Sequence, residues 1–126
     1  MDTNLREYFE NTEGVGILGT SDAEGNVDLA VYARPHVADD GTVAFVMSDR
    51  LSHANTTANP NAAYLFVEKW ERYKGKRLHL TKIREETDPE KIEAVRRESR
   101  KQRDYGDAVK YLVHFKVEKV RPLVGE

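Results

Sequence analysis

The 126-residue sequence contains no cysteine. That excludes disulfide staples, thiol nucleophiles, iron–sulfur ligation and cysteine-based zinc sites. An excess of one charge is also missing. The 20 basic and 22 acidic residues leave a net charge of -2, which gives no global reason to expect nucleic acid or a membrane surface as partner. No apolar run approaches the ~18 residues of a membrane-spanning helix. The start, Met1-Asp2-Thr3-Asn4-Leu5-Arg6-Glu7, is polar and lacks the basic-then-apolar plan of a secretion signal. These absences predict a soluble, cytoplasmic protein. Chemical signatures are scarce too. His36, His53, His79 and His114 stand alone, none paired at the i, i+4 spacing of a helical metal site. No metal site is expected, and each reads as an ordinary surface or partly buried histidine. There is no Walker loop and no strained nucleophile turn. Gly14-Val15-Gly16-Ile17-Leu18-Gly19 spells G-x-G-x-x-G, but it lies in an apolar run followed by a turn rather than a helix, so it is not a dinucleotide fingerprint.

What is present suits one globular domain over residues 1–126. The chain is 39% hydrophobic and 33% charged, long enough to bury a core without staples. A short helix is expected from Leu5, Tyr8, Phe9 and Thr12, with Asn4 and Glu7 at capping-box spacing. Three strands follow: residues 15–20, 27–34 and 43–47, separated by turns at 21–26 and 38–41. They read as a meander, with Pro35 breaking the second strand because proline cannot donate to a ladder. The third is apolar on both faces. A helix is expected over residues 52–59, with Ser52 as N-cap and Asn59-Pro60 as stop. Strands at 62–68 and 77–84 flank a polar loop carrying Trp70 and Tyr73. Thr87-Asp88-Pro89-Glu90 announces a surface helix with a thin stripe of Ile92 and Val95. Its basic continuation, residues 96–103, reads as a solvated face. A break is expected over 103–107, then an alternating strand from Val109. Six short strands and three helices point to a small antiparallel barrel, which removes exposed sheet edges.

One stretch carries chemistry. Met47-Ser48-Asp49-Arg50-Leu51-Ser52 runs from a strand end into a helix start, where unpaired amide protons and the positive dipole end favour an anion. Arg50 adds a fork of donors, Ser48 and Ser52 add hydroxyls, and Arg34 ends the neighbouring strand. The set suits a phosphate monoester. It equally suits a capped helix with two surface arginines, and spacing alone leaves both readings open.

Residues 15–67 resemble the FMN-binding split-barrel family related to pyridoxamine 5′-phosphate oxidase. The shared pattern is Gly16-Ile17-Leu18-Gly19-Thr20, the D-x-x-G turn Asp22 to Gly25, and Ala33-Arg34-Pro35-His36-Val37. Asp40-Gly41, Ser52-His53-Ala54-Asn55 and Asn59-Pro60 follow, and Tyr73 to Leu78 looks like the entry to the next strand. The resemblance implies a mainly β fold with flanking helices, a six-stranded antiparallel split barrel. It also implies a homodimer and one FMN per subunit near the dimer interface. Carried over by position, Val31, Tyr32, Ala33 and Arg34 would line the flavin, while Ser48, Arg50, Ser52 and Asn55 would surround its phosphate. Arg34 would sit at the N1–O2 edge of the ring or on the phosphate. Trp70 and Tyr73 would cover a ring face, anchor the loop or meet a second subunit. Two departures stand out: the phosphate loop has no lysine, and the ending Lys119 to Glu126 does not look like that of the vitamin-oxidising enzymes. Pyridoxal phosphate synthesis is therefore not expected. The function this implies is an FMN-dependent oxidoreductase passing electrons from a reduced nicotinamide, as small-molecule donor, to an acceptor. The alternatives are a flavin carrier or store without turnover, and the same barrel holding deazaflavin or haem, with His36 or His53 as axial ligand.

Overall fold

The computed structural model describes residues 4–98 and 110–125. The expected basic run beyond Arg96, the expected break at 103–107 and Val109 fall on side chains or residues outside that set. The chain runs α1 (Leu5–Asn11), β1 (Gly14–Ser21), β2 (Val27–Val31), β3 (His36–Val37), β4 (Val43–Ser48), α2 (Leu51–Ala58), β5 (Asn61–Glu68), β6 (Gly75–Glu86), α3 (Pro89–Glu98) and β7 (Lys110–Pro122). No helix among these is long and apolar enough to cross a membrane.

The strands form one antiparallel sheet ordered β2-β1-β5-β6-β7-β4-β3. The mainly β, antiparallel architecture matches the expectation; the strand count and one connection do not. Among the described residues there are seven strands, not six. Pro35 has no amide proton, so the strand expected over 27–34 ends at Val31 and a two-residue strand, β3, resumes beyond it. The three-strand meander is also corrected. β1 and β2 form a hairpin, with Ile17 opposite Val31 and Ser21 opposite Val27, but β4 pairs with β3 and β7 instead of β2. The two ends of the sheet, β2 and β3, are thus pieces of one length of chain. The ladder does not close between them; residues 32–35 form the seam.

The inner face is filled by Leu18, Val43, Met47, Tyr64, Phe66, Leu78, Val113 and Phe115, all fully buried. Each large apolar side chain buried this way contributes about 1.5–3 kcal/mol. α1 covers one end. Phe9 meets Phe66 edge-on at 5.3 Å, and Arg6 donates to the Val37 carbonyl at 2.9 and 3.0 Å. Asn4 caps α1 as expected, its Oδ1 accepting from the Glu7 amide at 3.1 Å. α2 covers the other end, where the Asn55 amide donates to Thr20 Oγ1 at 3.0 Å.

α3 explains why β4 is apolar on both faces. Ile92 is buried, and with Val95 it packs on Ala44, Val46 and Leu112. The cap is Asp88, whose Oδ1 accepts from the Glu90 amide. This helix also hides one side of β7, so residues 112–115 are all buried and the alternation expected there is lost. The opposite sheet region has no such cover. Paired register places Val31, Ile17, Leu65, Arg77 and Arg121 in one row, and Leu29, Gly19, Ala63, His79 and Lys119 in the next. The outer face is therefore apolar across β2, β1 and β5 and basic across β6 and β7. Val27, Leu29 and Val31 are each about two-thirds or more exposed, at 73%, 69% and 65%.

Candidate functional site

The seam is built around Tyr64. Its ring is buried in the core and its hydroxyl donates toward both the Tyr32 and Ala33 carbonyls, 3.1 Å from each. Burial pushes the phenol above its ordinary value, so it remains a donor across the physiological range. Gly16 leaves room for this contact. A Cβ there would lie 2.7 Å from the Tyr32 carbonyl oxygen and overlap the Tyr64 hydroxyl. The Tyr32 amide returns the favour by donating to the Gly16 carbonyl at 3.0 Å. Just beyond, Arg34 donates from one terminal nitrogen to the carbonyls of Phe9 and Thr12, both at 2.8 Å. It thereby closes the C-terminal end of α1, an energetic role for a cation near a helix carboxyl end. β2 pairs only with β1, so polar backbone groups on its other edge are outside the ladder.

The second part of the site is the start of α2. The helix begins at Leu51 and its N-cap is Arg50, with no side chain capping it. Ser52, expected as the cap, lies one residue inside the helix in the first turn. β4 ends at Ser48 and Arg50 is the last extended residue, so the cap falls two residues before the expected one. Ser52 is only 6% exposed, so its side chain lies against the body of the fold in the first turn of the helix. Arg50 is exposed beside it, and Ser48 is half-buried at the end of β4. Asn55 turns inward to Thr20, so its amide is already engaged.

The structure brings Ser48, Arg50 and Ser52 into one turn. It places Tyr32, Ala33 and Arg34 at the seam, with Val31 just before them at the end of β2. The two groups share β1: Val31 lies opposite Ile17 while Asn55 holds Thr20, three residues on. At the usual rise of a strand that is about 10 Å. Val31 faces outward and α2 sits toward the inner side, so they flank the free edge of β2 from two directions. Trp70 and Tyr73 are each 78% exposed at the β5–β6 tip, so neither anchors its loop against the core.

His53 is a further part of this region. Its ring stacks on Tyr111 at 3.6 Å and 9°, and its Nε2 lies 2.9 Å from Glu85 Oε1. A carboxylate only accepts, so the ring carries a proton on Nε2. Its Nδ1 faces Asp49 at 3.9 Å. Both nitrogens therefore meet carboxylates, which disfavours the axial-ligand role considered for His53. Burial opposes ionisation of Glu85, but Lys82, 2.7 Å away, and His53 overcome it and hold the carboxyl below its usual range. Glu86 makes a separate network with Lys91 at 2.7 Å and His114 at 2.6 Å. No group of three or more metal-ligating side chains occurs among the described residues.

Tyr64, Gly16 and the His53 contacts were missed as site determinants. Only Gly16 left a signal, a glycine in an apolar strand, which marks close approach of another group.

No family model and no curated protein matches this chain. Solved structures do. An FMN-binding protein from Syntrophomonas wolfei subsp. wolfei is similar at a TM-score of 0.75 with 16% identity, over 97% of this chain and 85% of that one. An F420 reductase is similar at 0.70 with 13% identity, over 96% and 98%. A pyridoxamine 5′-phosphate oxidase-like protein from Lactobacillus delbrueckii is similar at 0.67 with 16% identity, over 96% and 93%. A haem-binding protein from Mycobacterium smegmatis reaches 0.60 with 18% identity, over 97% of this chain and 55% of its own. At such identities the likeness establishes the fold. The split-barrel fold implied by the sequence resemblance is the one found.

Proposed function

We propose that this chain binds FMN as a homodimer and serves as an FMN-dependent oxidoreductase, taking electrons from a reduced nicotinamide and delivering them to a small-molecule acceptor. The observation that carries the binding half is at α2: a helix start that no side chain caps, with Arg50 at its cap position and the Ser52 hydroxyl in its first turn. These residues fit a phosphate monoester. Arg50 supplies a planar fork of donors where relatives of the resembled family often use lysine. The first-turn amides supply the dipole end. Val31 at the end of β2 and the seam residues Tyr32 and Ala33 that follow it would carry the ring system. Arg34, with one nitrogen committed to α1, keeps the seam in place and has further donors for the ring edge or the phosphate.

When bound, FMN supplies the two-electron and one-electron chemistry. The chain's share is to hold and orient it. Tyr64 fixes the carbonyls of Tyr32 and Ala33, Arg34 fixes the segment end, and α2 holds the phosphate. Support for flavin also comes from the fold shared with an FMN-binding protein and a pyridoxamine 5′-phosphate oxidase-like protein.

The dimer reading rests on the outer face. Val27, Leu29, Val31 and Val15 are exposed beside Ile17 and Leu65, a contiguous apolar patch of the kind that marks an interface. Val46, on the strand read from sequence as apolar on both faces, is covered by α3 within the chain. A twofold contact through β2 would place Val31 to Arg34 at the subunit boundary.

Titration with FMN and riboflavin, followed by reduction with NADH and NADPH in stopped flow, tests the proposal. Tighter binding of FMN and donor-dependent bleaching are expected. Bound flavin that stays oxidised with both donors leaves a carrier or store. A second reading, deazaflavin or haem in the same barrel, draws on the fold shared with an F420 reductase and a haem-binding protein; a Soret band without flavin absorbance in the purified protein would establish haem.

A further inference from the structure

We infer that His53 is a positioning residue that sets the orientation of the first turn of α2, and so tunes affinity for the phosphate of the ligand without touching it. The inference rests on the phosphate site proposed above. α2 lies across one end of the barrel and is strapped at two places. On one side Asn55 holds β1 through Thr20. On the other, His53 lies flat on Tyr111 of β7 and donates to Glu85 of β6. The first strap fixes the middle of the helix. The second is in its first turn, immediately after Ser52.

The geometry explains why the second strap matters for an anion. Amide dipoles are effective only when aimed at the charge, and the favourable field falls off within one turn. No side chain caps this helix start. Without a cap, the contacts of His53 decide where the protons of the first turn point. The strap is itself held: Glu85 is fixed by Lys82 at 2.7 Å, and Asp49 faces the other ring nitrogen from the loop that also carries Arg50. His53 is thus coupled on one side to two strands and on the other to the loop of the proposed phosphate ligands. Its side chain is only 12% exposed, so the arrangement is enclosed rather than a surface pairing.

The test compares FMN with riboflavin, which lacks the phosphate, in four variants. His53→Phe keeps a flat ring on Tyr111 but removes the bond to Glu85. Glu85→Ala removes the acceptor. The double variant removes both, and Tyr111→Phe keeps the stack. His53→Phe and Glu85→Ala are each expected to weaken FMN about tenfold, the scale of one charge-assisted bond. Riboflavin should be unaffected, the double variant should lose no more than either single, and Tyr111→Phe should retain wild-type preference. Equal losses for both flavins, or an unchanged FMN-to-riboflavin ratio in a folded His53→Phe protein, would overturn the inference. Inorganic phosphate, followed through the amide resonances of Leu51 to His53, separates this from the flavin reading. Wild-type protein that shifts with phosphate but ignores FMN refutes the flavin, and the same variants then report positioning through the phosphate midpoint. Wild-type protein that responds to neither overturns both.

Discussion

Replacing Tyr64 with phenylalanine removes one oxygen atom from the seam and leaves the ring that packs on Phe45 at 5.0 Å and Phe9 at 6.2 Å. The loss is therefore confined to one proton shared between two carbonyl oxygens. A net hydrogen bond is worth about 1 kcal/mol, and an orphaned buried acceptor costs about 1–3 kcal/mol. The two acceptors differ: Ala33 is exposed and its carbonyl can turn to water, while Tyr32 is half-buried. The expected destabilisation is accordingly about 1–2 kcal/mol. Urea unfolding should show a lower midpoint with an unchanged slope, since the exposed area on unfolding hardly changes. In a chain of this size each kcal/mol lowers the melting temperature by about 4 °C. Amide exchange at Tyr32 should accelerate more than exchange in β6. Two results would refute the reasoning: a midpoint that does not move, or a lower midpoint with exchange at Tyr32 unchanged, which would mean the hydroxyl does not pin the seam.

Gly16→Ala should be harsher, about 3 kcal/mol, because the new methyl overlaps the Tyr64 hydroxyl and no flexible side-chain end can yield; thermal unfolding measures it. Arg50→Ala should weaken FMN by about 1.5 kcal/mol, roughly tenfold, with little change for riboflavin by fluorescence titration; equal losses would remove Arg50 from the phosphate site. Stability should fall on acidification. Burial keeps the His114 imidazole below its ordinary value despite Glu86, and Lys91 and His114 keep Glu86 below the usual carboxylate range. In both cases the unfolded chain binds more protons, so stability present above about pH 6.5 declines as pH drops through the His114 range and again through the carboxylate range. The urea midpoint of His114→Gln should lose the first decline and keep the second. Leu29→Glu, in the centre of the apolar outer face, should convert a dimer to monomer by light scattering while leaving the melting of the isolated barrel nearly intact.

Local physics made much of the fold legible. Asn4, Asp88 and Pro89 mark helix starts because the cap lies within three residues of the groups it satisfies. Pro35 announces a break, yet the strand that resumes at His36 is two residues long and exists only because Ala44 and Val43 wait opposite. Ser52 illustrates a sharper limit. Its residue type favours a cap, but the geometry of the preceding strand decides where helical dihedrals begin. The polar helix Leu51–Ala58 shows no apolar stripe, so nothing in its pattern tells that Ser52, Asn55 and Thr56 face inward. Ser48, Arg50 and Ser52, the residues of the proposed phosphate site, were legible as a cluster because they fall within five positions of one another. Tyr64, 32 residues from the carbonyl it holds, was not, because that contact arises only once β1, β5 and the seam are assembled.

The seam has a mechanical corollary. A sheet ordinarily ends in two independent borders, each free to fray by itself. Here a single eleven-residue thread, Val27 to Val37, is stitched into both borders, to β1 at its beginning and to β4 at its finish. Slack introduced anywhere along that thread is felt at both hems, so the molecule should loosen as a unit rather than peel from one side.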